Sequence, residues 1–409
     1  MPTPISPAAR RRLEGLRRRG DVRALAKAAK AHGVRVWIVG GAVRDALMGR
    51  PIAEVDAAVL GDVQALAAAL DRQGAGRAVF LSEDRPGPRV FRVAGRRPID
   101  IAEVEGGAIE ADLARRDFTV NALALDLADG SLLDPFGGVS DLSRRRLTCV
   151  RAANLLEDPL RAFRAARFLA SHGLVPDRAA LAASRAAAPK MAGVAVERIS
   201  TELARLLESP RAAPALAWAG SARLLPSALG ADLAPSRAGA LARSLRALDD
   251  PATRRLAPER RRRLRMAMLA MRLDPDPLHA RRWLSRRRWA RREAEEIGIL
   301  VDLAGRAGHV RGRRDAWRWV LDAGVLADDA AHLAARAVPG ARRNAARLTR
   351  LARAPLRRVR VTGADVVNWC AISPGPAVGV LLDEVRLAAA AGDVKSRREA
   401  RNWLLGQVP

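Results

Sequence analysis

The chain has 409 residues, with 72 lysine and arginine residues against 44 acidic ones and a net charge of +28. This length exceeds what one hydrophobic core holds, and the charge favours a polyanionic partner, nucleic acid before an anionic membrane. The two cysteines, Cys149 and Cys370, exclude a disulfide framework and a zinc-finger spacing, so we predict a reducing, cytoplasmic setting. Aromatic residues make up 3% and tyrosine is absent, which argues against binding RNA through many stacked bases.

The predicted elements divide the chain into a mixed first third and a helical remainder. Residues 1–32 are basic and helical in pattern. From 34 to 135, short β-branched runs alternate with turns and helical stretches, which predicts an α+β domain with a small sheet. From 151 onward, Ala, Leu and Arg recur at helical spacing, which predicts several helical layers. No segment resembles a secretory signal or a membrane span, so we expect no membrane partner.

One stretch, residues 34–60, combines the features of a phosphate site. An apolar run ends in Gly40-Gly41, and a second apolar run carries Glu54 and Asp56 two residues apart. Alternate residues of a strand share a face, so these carboxylates are expected side by side, where they repel unless a cation lies between them. Oxygen ligands at this spacing suit Mg²⁺, and glycines let a phosphate approach backbone N–H groups. The alternative is a surface strand with two solvated acids.

Asp100 is a third acidic candidate. It lies on another predicted strand between Ile99 and Ile101, so its side chain is expected on the face opposite the core. Three carboxylates on adjacent strands would hold two Mg²⁺ ions, an arrangement used for in-line nucleotidyl transfer. The alternative for this residue is an ordinary aspartate in a strand.

A second polar cluster lies at 115–121, at a predicted helix-to-strand junction. Arg115 and Arg116 suit triphosphate oxygens, whereas Asp117 and Asn121 suit sugar hydroxyls or a base edge. The alternative is a surface cluster of ion pairs.

A third cluster, Glu157, Asp158 and Arg161, is expected at a helix start, with Pro159 near the first helical position. Asp158 and Arg161 are three residues apart and therefore share a helix face. One interpretation is a capped, charge-paired helix start. The other is a pair that reads base edges, in which Asp158 accepts a hydrogen bond and Arg161 donates two.

Arginine-rich runs recur in the helical part, at 260–265, 281–292 and 311–314. Each run by itself fits a solvated helix face. Their repetition along one chain favours a basic surface that follows RNA.

Five motifs occur in a fixed order: GGAVRDALMGRPIAEVD, RRDFTVNALA, DPFGGVSDL, EDPLRAFRAARF and VERISTEL. Together they resemble the class II tRNA nucleotidyltransferase and poly(A) polymerase family of the DNA polymerase beta superfamily. The resemblance covers residues 34–207 closely, and 362–385 resembles the family's C-terminal segment. Residues 215–350 are supported only by length and helical character.

The resemblance implies an α+β fold, with a polymerase-beta-like nucleotidyltransferase head that holds a small mixed sheet, followed by an all-helical neck, body and tail. The neck would select nucleotides, and the body and tail would bind tRNA. The implied divisions are a basic helical extension at 1–30, the head at 31–140, the neck at 141–215, the body at 216–350 and the tail at 351–409.

The resemblance also implies the site. Glu54 and Asp56 would be the metal ligands and catalytic residues, and Asp100 remains the third catalytic candidate from its strand position. In the neck, Asp158 and Arg161 would select CTP and then ATP without a template, with Glu197 and Arg198 as braces. The predicted nucleotide-binding residues are Gly40, Gly41, Arg44, Arg115, Arg116, Asp117, Asn121, Glu157, Asp158, Arg161 and Arg164.

The implied activity is the addition of CCA to the 3′ end of tRNA from CTP and ATP, with Mg²⁺ as cofactor and pyrophosphate as product. Enzymes that add only CC, only A or poly(A) are alternatives of the same chemistry. A catalytically weak RNA-binding descendant is the alternative of another class. The chain departs from the family at Glu54, where Asp is usual. The five histidines form no His-Asp phosphohydrolase pattern, and no protein partner is inferred.

Overall fold

The computed structural model describes residues 5–81, 88–95, 97–231, 233–356 and 359–407. Contacts divide these residues into two units. The first comprises the described residues of Met1–Leu206 and Pro214–Pro235, and the second those of Leu207–Ala213 and Ser236–Pro409. The predicted α+β class is confirmed, because the described strands lie in the first unit and the second is helical. The predicted boundary between head and neck at residue 140 falls inside the first unit. The predicted boundary between body and tail at residue 350 falls inside the second unit.

A mixed sheet of seven strands forms where the sequence places its β-branched runs. The strands are β1 (Arg35–Val39), β2 (Val55–Leu60), β3 (Arg77–Phe80), β4 (Val90–Ala94), β5 (Ile99–Glu103), β6 (Ala124–Asp126) and β7 (Leu132–Leu133). Their order is β3-β4-β5-β2-β1-β6-β7, and β2 runs parallel to β5 while the other neighbours are antiparallel. The first six strands lie at the predicted runs, whereas β7 is too short to give a periodic signal.

The helical part contains one small addition that the pattern did not predict. Two further short strands, β8 (Arg146–Leu147) and β9 (Val175–Pro176), form a separate parallel pair. β9 falls in the region from 151 onward that was predicted to be helical, so that prediction is wrong in this detail. The α-helices up to residue 229, in the head and after it, are α1 (Pro7–Arg17), α2 (Gly20–Ala31), α3 (Gly41–Leu47), α4 (Val63–Arg72), α5 (Ile109–Ala114), α6 (Gly138–Ser143), α7 (Ala152–Glu157), α8 (Leu160–His172), α9 (Arg178–Ala187), α10 (Val196–Glu208), α11 (Ala212–Ser221) and α12 (Leu225–Leu229).

Alternation along the strands builds a core on each face of the sheet. Val36 and Ile38 of β1 are buried on one face of the sheet and Trp37 on the other, because successive side chains of a strand point to opposite faces. Leu16 of α1 and Leu25 of α2 are buried in the same core as Val36 and Ile38. The basic N-terminal helices are therefore part of the head and share its core.

The remaining helices build the second unit and begin at sites that the sequence marks. Asp250, Asp276, Thr362 and Ser396 each cap a helix through the side chain, which satisfies backbone N–H groups of the first turn. No helix among the described residues is long and apolar enough to cross a membrane. The helices are α13 (Pro235–Arg246), α14 (Pro251–Arg254), α15 (Pro258–Leu273), α16 (Pro277–Arg286), α17 (Arg291–Arg306), α18 (Gly312–Ala323), α19 (Ala327–Ala337), α20 (Arg342–Ala352), α21 (Gly363–Cys370), α22 (Pro376–Ala391) and α23 (Arg397–Leu405).

The arginines at 260–265 lie inside the second unit and hold its helices together. Arg265 is fully buried, donates to the carbonyl oxygens of Leu207 and Ser209, and pairs with Asp249. Other pairs join Arg260 to Asp329, Arg262 to Glu293, and Arg263 to Glu296 and Asp329. The prediction that this run forms a surface that follows RNA is therefore wrong, because internal acids neutralise it. The runs at 281–292 and 311–314 keep exposed arginines, and their role stays a prediction.

Candidate active site

Asp56 and Asp100 occupy paired positions on the parallel strands β2 and β5 in the middle of the sheet. Val55 is buried before Asp56, and Ile99 and Ile101 are buried on either side of Asp100. The strand register pairs Asp56 directly with Asp100, so the two carboxylates lie side by side on one face. This confirms the predicted strand orientation of both residues.

Glu54 directly precedes β2, which begins at Val55, and like Asp56 it is exposed. Its charge acts on the same site, and its role as a metal ligand stays a prediction. The pKa of Asp56 is raised above its usual range, first because surrounding protein displaces water from the carboxylate, and then because Asp100 and Glu54 repel its charge. The site therefore carries negative charge that nearby arginines offset only in part.

Arg92 is a site residue that sequence reasoning missed. It lies on β4 opposite Asp100, with Nε 2.7 Å from Asp100 Oδ1 and Nη2 2.6 Å from Oδ2. This is the bidentate geometry that arginine forms with a carboxylate. Its outward position between Phe91 and Val93 in a predicted strand was the available signal. Because Arg92 neutralises Asp100, Asp56 is the carboxylate left to attract a cation.

The donor chemistry of this face fits Mg²⁺ held by one or two carboxylates. Within the described ranges, no three His, Cys, Asp or Glu side chains are close enough to form a metal cluster. Glu54, Asp56 and Asp100 therefore do not form such a three-residue group in the described structure, and the predicted metal-ligand pair of Glu54 and Asp56 stays a prediction. Mg²⁺ commonly takes one or two carboxylates and completes its shell with water and phosphate oxygens, and the raised pKa of Asp56 marks charge that a cation would relieve.

Gly40 leaves room for an arginine side chain close to the backbone at this site. It follows Val39, which pairs with Asp56 across β1 and β2. Its φ is +68°, and a Cβ at this position would lie 2.7 Å from Arg116 Nη1. Gly41 then begins α3. The two glycines were predicted to admit a phosphate, and the structure shows that Gly40 also leaves room for the Arg116 guanidinium.

Arg115 and Arg116 each have an acidic partner. Arg116 Nη2 donates to Asp112 Oδ2 at 3.0 Å, and Arg115 pairs with Glu105. Burial, followed by repulsion from Arg161, lowers the pKa of Arg115, which marks a crowded positive region. Neither guanidinium is fully buried, so phosphate oxygens can compete with the two carboxylates.

Arg44, Asp117 and Asn121 form a buried hydrogen-bonded chain, each at most 7% exposed. Arg44 Nη1 donates to Asn121 Oδ1 at 2.6 Å, its other nitrogens donate to Asp45, and Asn121 Nδ2 donates to Asp117 Oδ1 at 2.9 Å. Burial opposes ionisation of Asp117, but the charge of Arg164, 3.0 Å from Oδ2, and hydrogen bonds keep its pKa below the usual range. The Arg44 guanidinium is thus engaged by Asp45 and Asn121, and its predicted place near the triphosphate stays a prediction.

Phe168 joins helix α8 to this buried chain and was also missed. The guanidinium carbons of Arg44, Arg164 and Arg167 lie 5.1, 5.7 and 4.1 Å from its ring centre, within the range of cation–π attraction. Arg167 is also paired with Glu202. Arg164, a predicted nucleotide-binding residue, thus lies between Phe168 and Asp117. Its spacing of four residues from Phe168 on an amphipathic helix was the available signal.

The third cluster lies at the start of α8, as predicted, except that Glu157 belongs to the helix before it. Glu157 ends α7, Asp158 follows it, and α8 begins at Leu160. Arg198 Nη2 donates to Asp158 Oδ2 at 2.9 Å, which agrees with its predicted role as a brace. Leu160 N also donates to Asp158 Oδ1 at 3.3 Å, so the predicted capped, charge-paired helix start is confirmed for Asp158 and Arg161.

Arg161 is tied to the head through the backbone. Its Nη1 donates to the Arg115 carbonyl oxygen at 2.8 Å and to that of Asn154 at 3.2 Å, while Nε lies 4.0 Å from Asp158 Oδ2. Asp158 and Arg161 remain partly exposed. The two side chains share a face as predicted, and their reading of base edges stays a prediction.

Comparison with known proteins agrees with this architecture. Residues 36–148 match the family model of the Poly A polymerase head domain. The chain is 30% identical over 401 residues to the CCA-adding enzyme of Geobacillus kaustophilus, which covers 92% of this chain and 94% of that protein. It is 40% identical over 221 residues to the CC-adding tRNA nucleotidyltransferase of Geobacter sulfurreducens, over 54% of this chain and 51% of that protein. In this second match the chain spans about half the length of its relative.

The fold is also similar to a solved structure. The crystal structure of the Bacillus stearothermophilus CCA-adding enzyme in complex with CTP superposes with a TM-score of 0.71 over 98% of both chains, at 24% identity. That likeness extends the shared fold from the head through the helical part. The match over nearly the whole Geobacillus protein covers the head and the helical part alike, so one protein family accounts for both.

Proposed function

This chain belongs to the class II tRNA nucleotidyltransferase family of the CCA-adding enzymes, and on that premise we propose that it adds or repairs the 3′-terminal CCA of tRNA from CTP and ATP. The observation that carries the proposal is the pairing of Asp56 with Asp100 on parallel strands, beside the turn at Gly40. Paired carboxylates next to a phosphate-accessible backbone are what nucleotidyl transfer requires.

In the proposed reaction, the 3′-oxygen of the RNA attacks the α-phosphate of a bound nucleotide. The bond from that phosphorus to pyrophosphate breaks as the new bond forms. Glu54 and Asp56 would hold Mg²⁺, with Asp100 beside Asp56 on β5; the metal would activate the hydroxyl and stabilise charge on the leaving group. Arg115 and Arg116 would exchange their carboxylate partners for phosphate oxygens, since both kinds of anion suit a guanidinium.

Nucleotide selection is assigned to Asp158 and Arg161. Asp158 offers an acceptor, and Arg161 offers the donors that its backbone contacts leave unused. Arg198 holds Asp158 in place, and the carbonyl of Arg115 holds Arg161. This geometry supports base reading by a fixed pair of side chains in place of a nucleic-acid template.

Addition of CC alone is the second candidate, because a relative with 40% identity carries that name. Glu54 bears instead on the alternative of a catalytically weak RNA-binding descendant, since its extra methylene shifts the carboxylate relative to the usual aspartate. We also keep the predicted cytoplasmic setting as part of the proposal. Cys149 and Cys370 are both free thiols, in keeping with a reducing compartment.

The test is nucleotide incorporation into a tRNA transcript that lacks its CCA end, with Mg²⁺ and CTP, ATP or both, followed by sequencing of the 3′ ends. Complete CCA supports the proposal. CC alone, A alone on a CC end, or long A tails would each select a rival activity. If tRNA binds but incorporates nothing, the chain is an RNA-binding descendant. Glu54→Asp serves as the matched variant for the departure from the family pattern.

A further inference from the structure

A basic cleft lies beside the N-terminal helices of the first unit, apart from the site described above. It has a volume of about 610 Å³ and lies along α1 and α2. No aromatic residue lines its described walls. The side chains that define it are Glu14, Arg17, Arg18, Arg23, Lys27 and Leu127.

The cleft carries positive charge that the protein does not neutralise. Glu14 is the acidic residue in its lining, and it is shared between Arg17 at 3.2 Å and Arg18 at 3.0 Å. Arg23 and Lys27 are exposed and one helical turn apart on α2, and within the described ranges neither side chain has an ion-pair or hydrogen-bond partner. The arginines at 260–265 are the opposite case, because internal acids neutralise them.

The head core holds this cleft in place. Leu16 and Leu25 anchor α1 and α2 beneath it, and both are buried. Arg17 Nη2 donates to the Leu127 carbonyl oxygen at 3.3 Å, which ties α1 to the segment after β6. The cationic side chains therefore project from a packed surface and not from a separate tail.

The cleft is distinct from the triphosphate position. Leu127 N donates to the carbonyl oxygen of Val36 at 3.0 Å. Val36 precedes Gly40 by four residues along β1, which is about 13 Å of strand. An anion in this cleft is therefore not the nucleotide held next to Asp56.

We propose that this cleft binds the sugar–phosphate backbone of the RNA substrate, away from the reacting 3′ end. Unpaired Arg and Lys groups suit phosphates because binding releases the counterions that surround RNA. The lack of aromatic lining fits contact with the backbone and not with stacked bases. The identity of the RNA as tRNA rests on the proposed function, whereas the backbone contact does not.

The experiment compares Arg23→Glu/Lys27→Glu with Arg72→Glu/Arg77→Glu in the full chain. Arg72 and Arg77 are exposed residues of the same unit without a described acidic partner, and the net charge changes equally. Binding to a tRNA transcript is measured by filter retention at increasing KCl. We expect the cleft variant to bind about tenfold more weakly at low salt, with a log–log salt slope shallower by about 2, and the control to stay within about twofold of wild type.

The outcomes separate this inference from the proposed function. If wild type adds CCA but the two double variants have equal KM for tRNA and equal salt slopes, the cleft proposal is overturned. If wild type adds no nucleotide and the cleft variant still loses RNA affinity selectively, the activity fails and the cleft proposal stands. Loss of binding to phosphatidylglycerol vesicles with intact RNA binding would overturn it in favour of a membrane surface. Arg23→Gln/Lys27→Gln, with an expected loss of about threefold, replaces the double reversal if that variant does not fold.

Discussion

His172 Nε2 lies 3.2 Å from Asp45 Oδ1, and this contact joins the end of α8 to α3. Asp45 also accepts two hydrogen bonds from Arg44, and His172 Nδ1 lies 2.7 Å from Ser171 Oγ. The imidazole is buried. Through this contact, the helix that carries Arg164 is fastened to the helix that follows the glycine turn.

Acidification is expected to destabilise the protein through His172. Burial lowers the pKa of His172 below its usual value near 6.5, the positive charge of Arg44 adds to this effect, and the hydrogen bond to Asp45 opposes it only in part. The unfolded chain therefore binds this proton more readily, so the contribution to stability is complete above the usual pKa and is lost as pH falls through it. We expect His172→Asn to lower the free energy of unfolding by about 1 kcal/mol near neutral pH.

The same variant should flatten the pH dependence of stability, measured as urea midpoints between about pH 7 and about pH 5. His332, in the second unit, also has a pKa lowered by burial, so His332→Asn is the control that retains the His172 contribution. A His172→Asn profile as steep as that of the wild type would contradict the assignment.

Removal of the Asp56 carboxylate is expected to abolish nucleotide incorporation. Asp56 carries the unneutralised charge of the site, whereas Asp100 is paired with Arg92. Asp56→Ala should lower the rate by about a thousandfold or more, while tRNA affinity stays within about twofold. Single-turnover extension of a radiolabelled tRNA measures the rate, and Asp129→Ala, an exposed acid of the head, is the control. Parallel losses in binding and rate would show that Asp56 acts on folding.

Gly40→Ala is expected to impair the site through one close contact. A side chain here meets Arg116 Nη1 at 2.7 Å and also strains a backbone with φ +68°. Gly74 has φ +72° with nothing within 4 Å of an added Cβ, so Gly74→Ala imposes the backbone strain alone. Both variants should lose about 1–2 kcal/mol of stability, but only Gly40→Ala should raise the KM for CTP and ATP. Equal KM values in the two variants would show that the contact between Gly40 and Arg116 does not affect nucleotide binding.

Arg161→Ala is expected to relax the choice between nucleotides. The side chain offers donors beside Asp158, and a bidentate reading of a base edge discriminates by about 1–3 kcal/mol. The ratio of kcat/KM for CTP and ATP against UTP and GTP should fall by about tenfold or more. Arg198→Ala, which releases Asp158 without removing a reader, should give a smaller change. Unchanged selection in Arg161→Ala would refute the reader role.

Local patterns predicted the strands and the outward position of Asp56 and Asp100, because alternation along a strand is written in neighbouring residues. The pairing of Arg92 with Asp100 depends on strand register, which no local pattern contains. Arg44 was expected near the triphosphate from the motif resemblance, and its burial was not predictable because Asn121, which accepts its hydrogen bond, is distant in the sequence. The prediction of an RNA-binding surface at 260–265 was wrong for the same reason, because most acidic partners of these arginines lie on other helices.

Arg265 provides the sharpest test of that internal role. Its guanidinium is fully buried and donates at 2.6 Å to the carbonyl oxygens of Leu207 and Ser209 and at 2.9 Å to Asp249. Arg265→Ala leaves these acceptors unpaired, so we expect a loss of about 3–5 kcal/mol in the free energy of unfolding, measured by urea denaturation of the full chain. Arg291, at 93% side-chain exposure, pairs with Glu295 on the surface, and Arg291→Ala should cost at most about 1 kcal/mol. Equal losses in the two variants would mean that burial of Arg265 does not make its contacts more important than a surface pair.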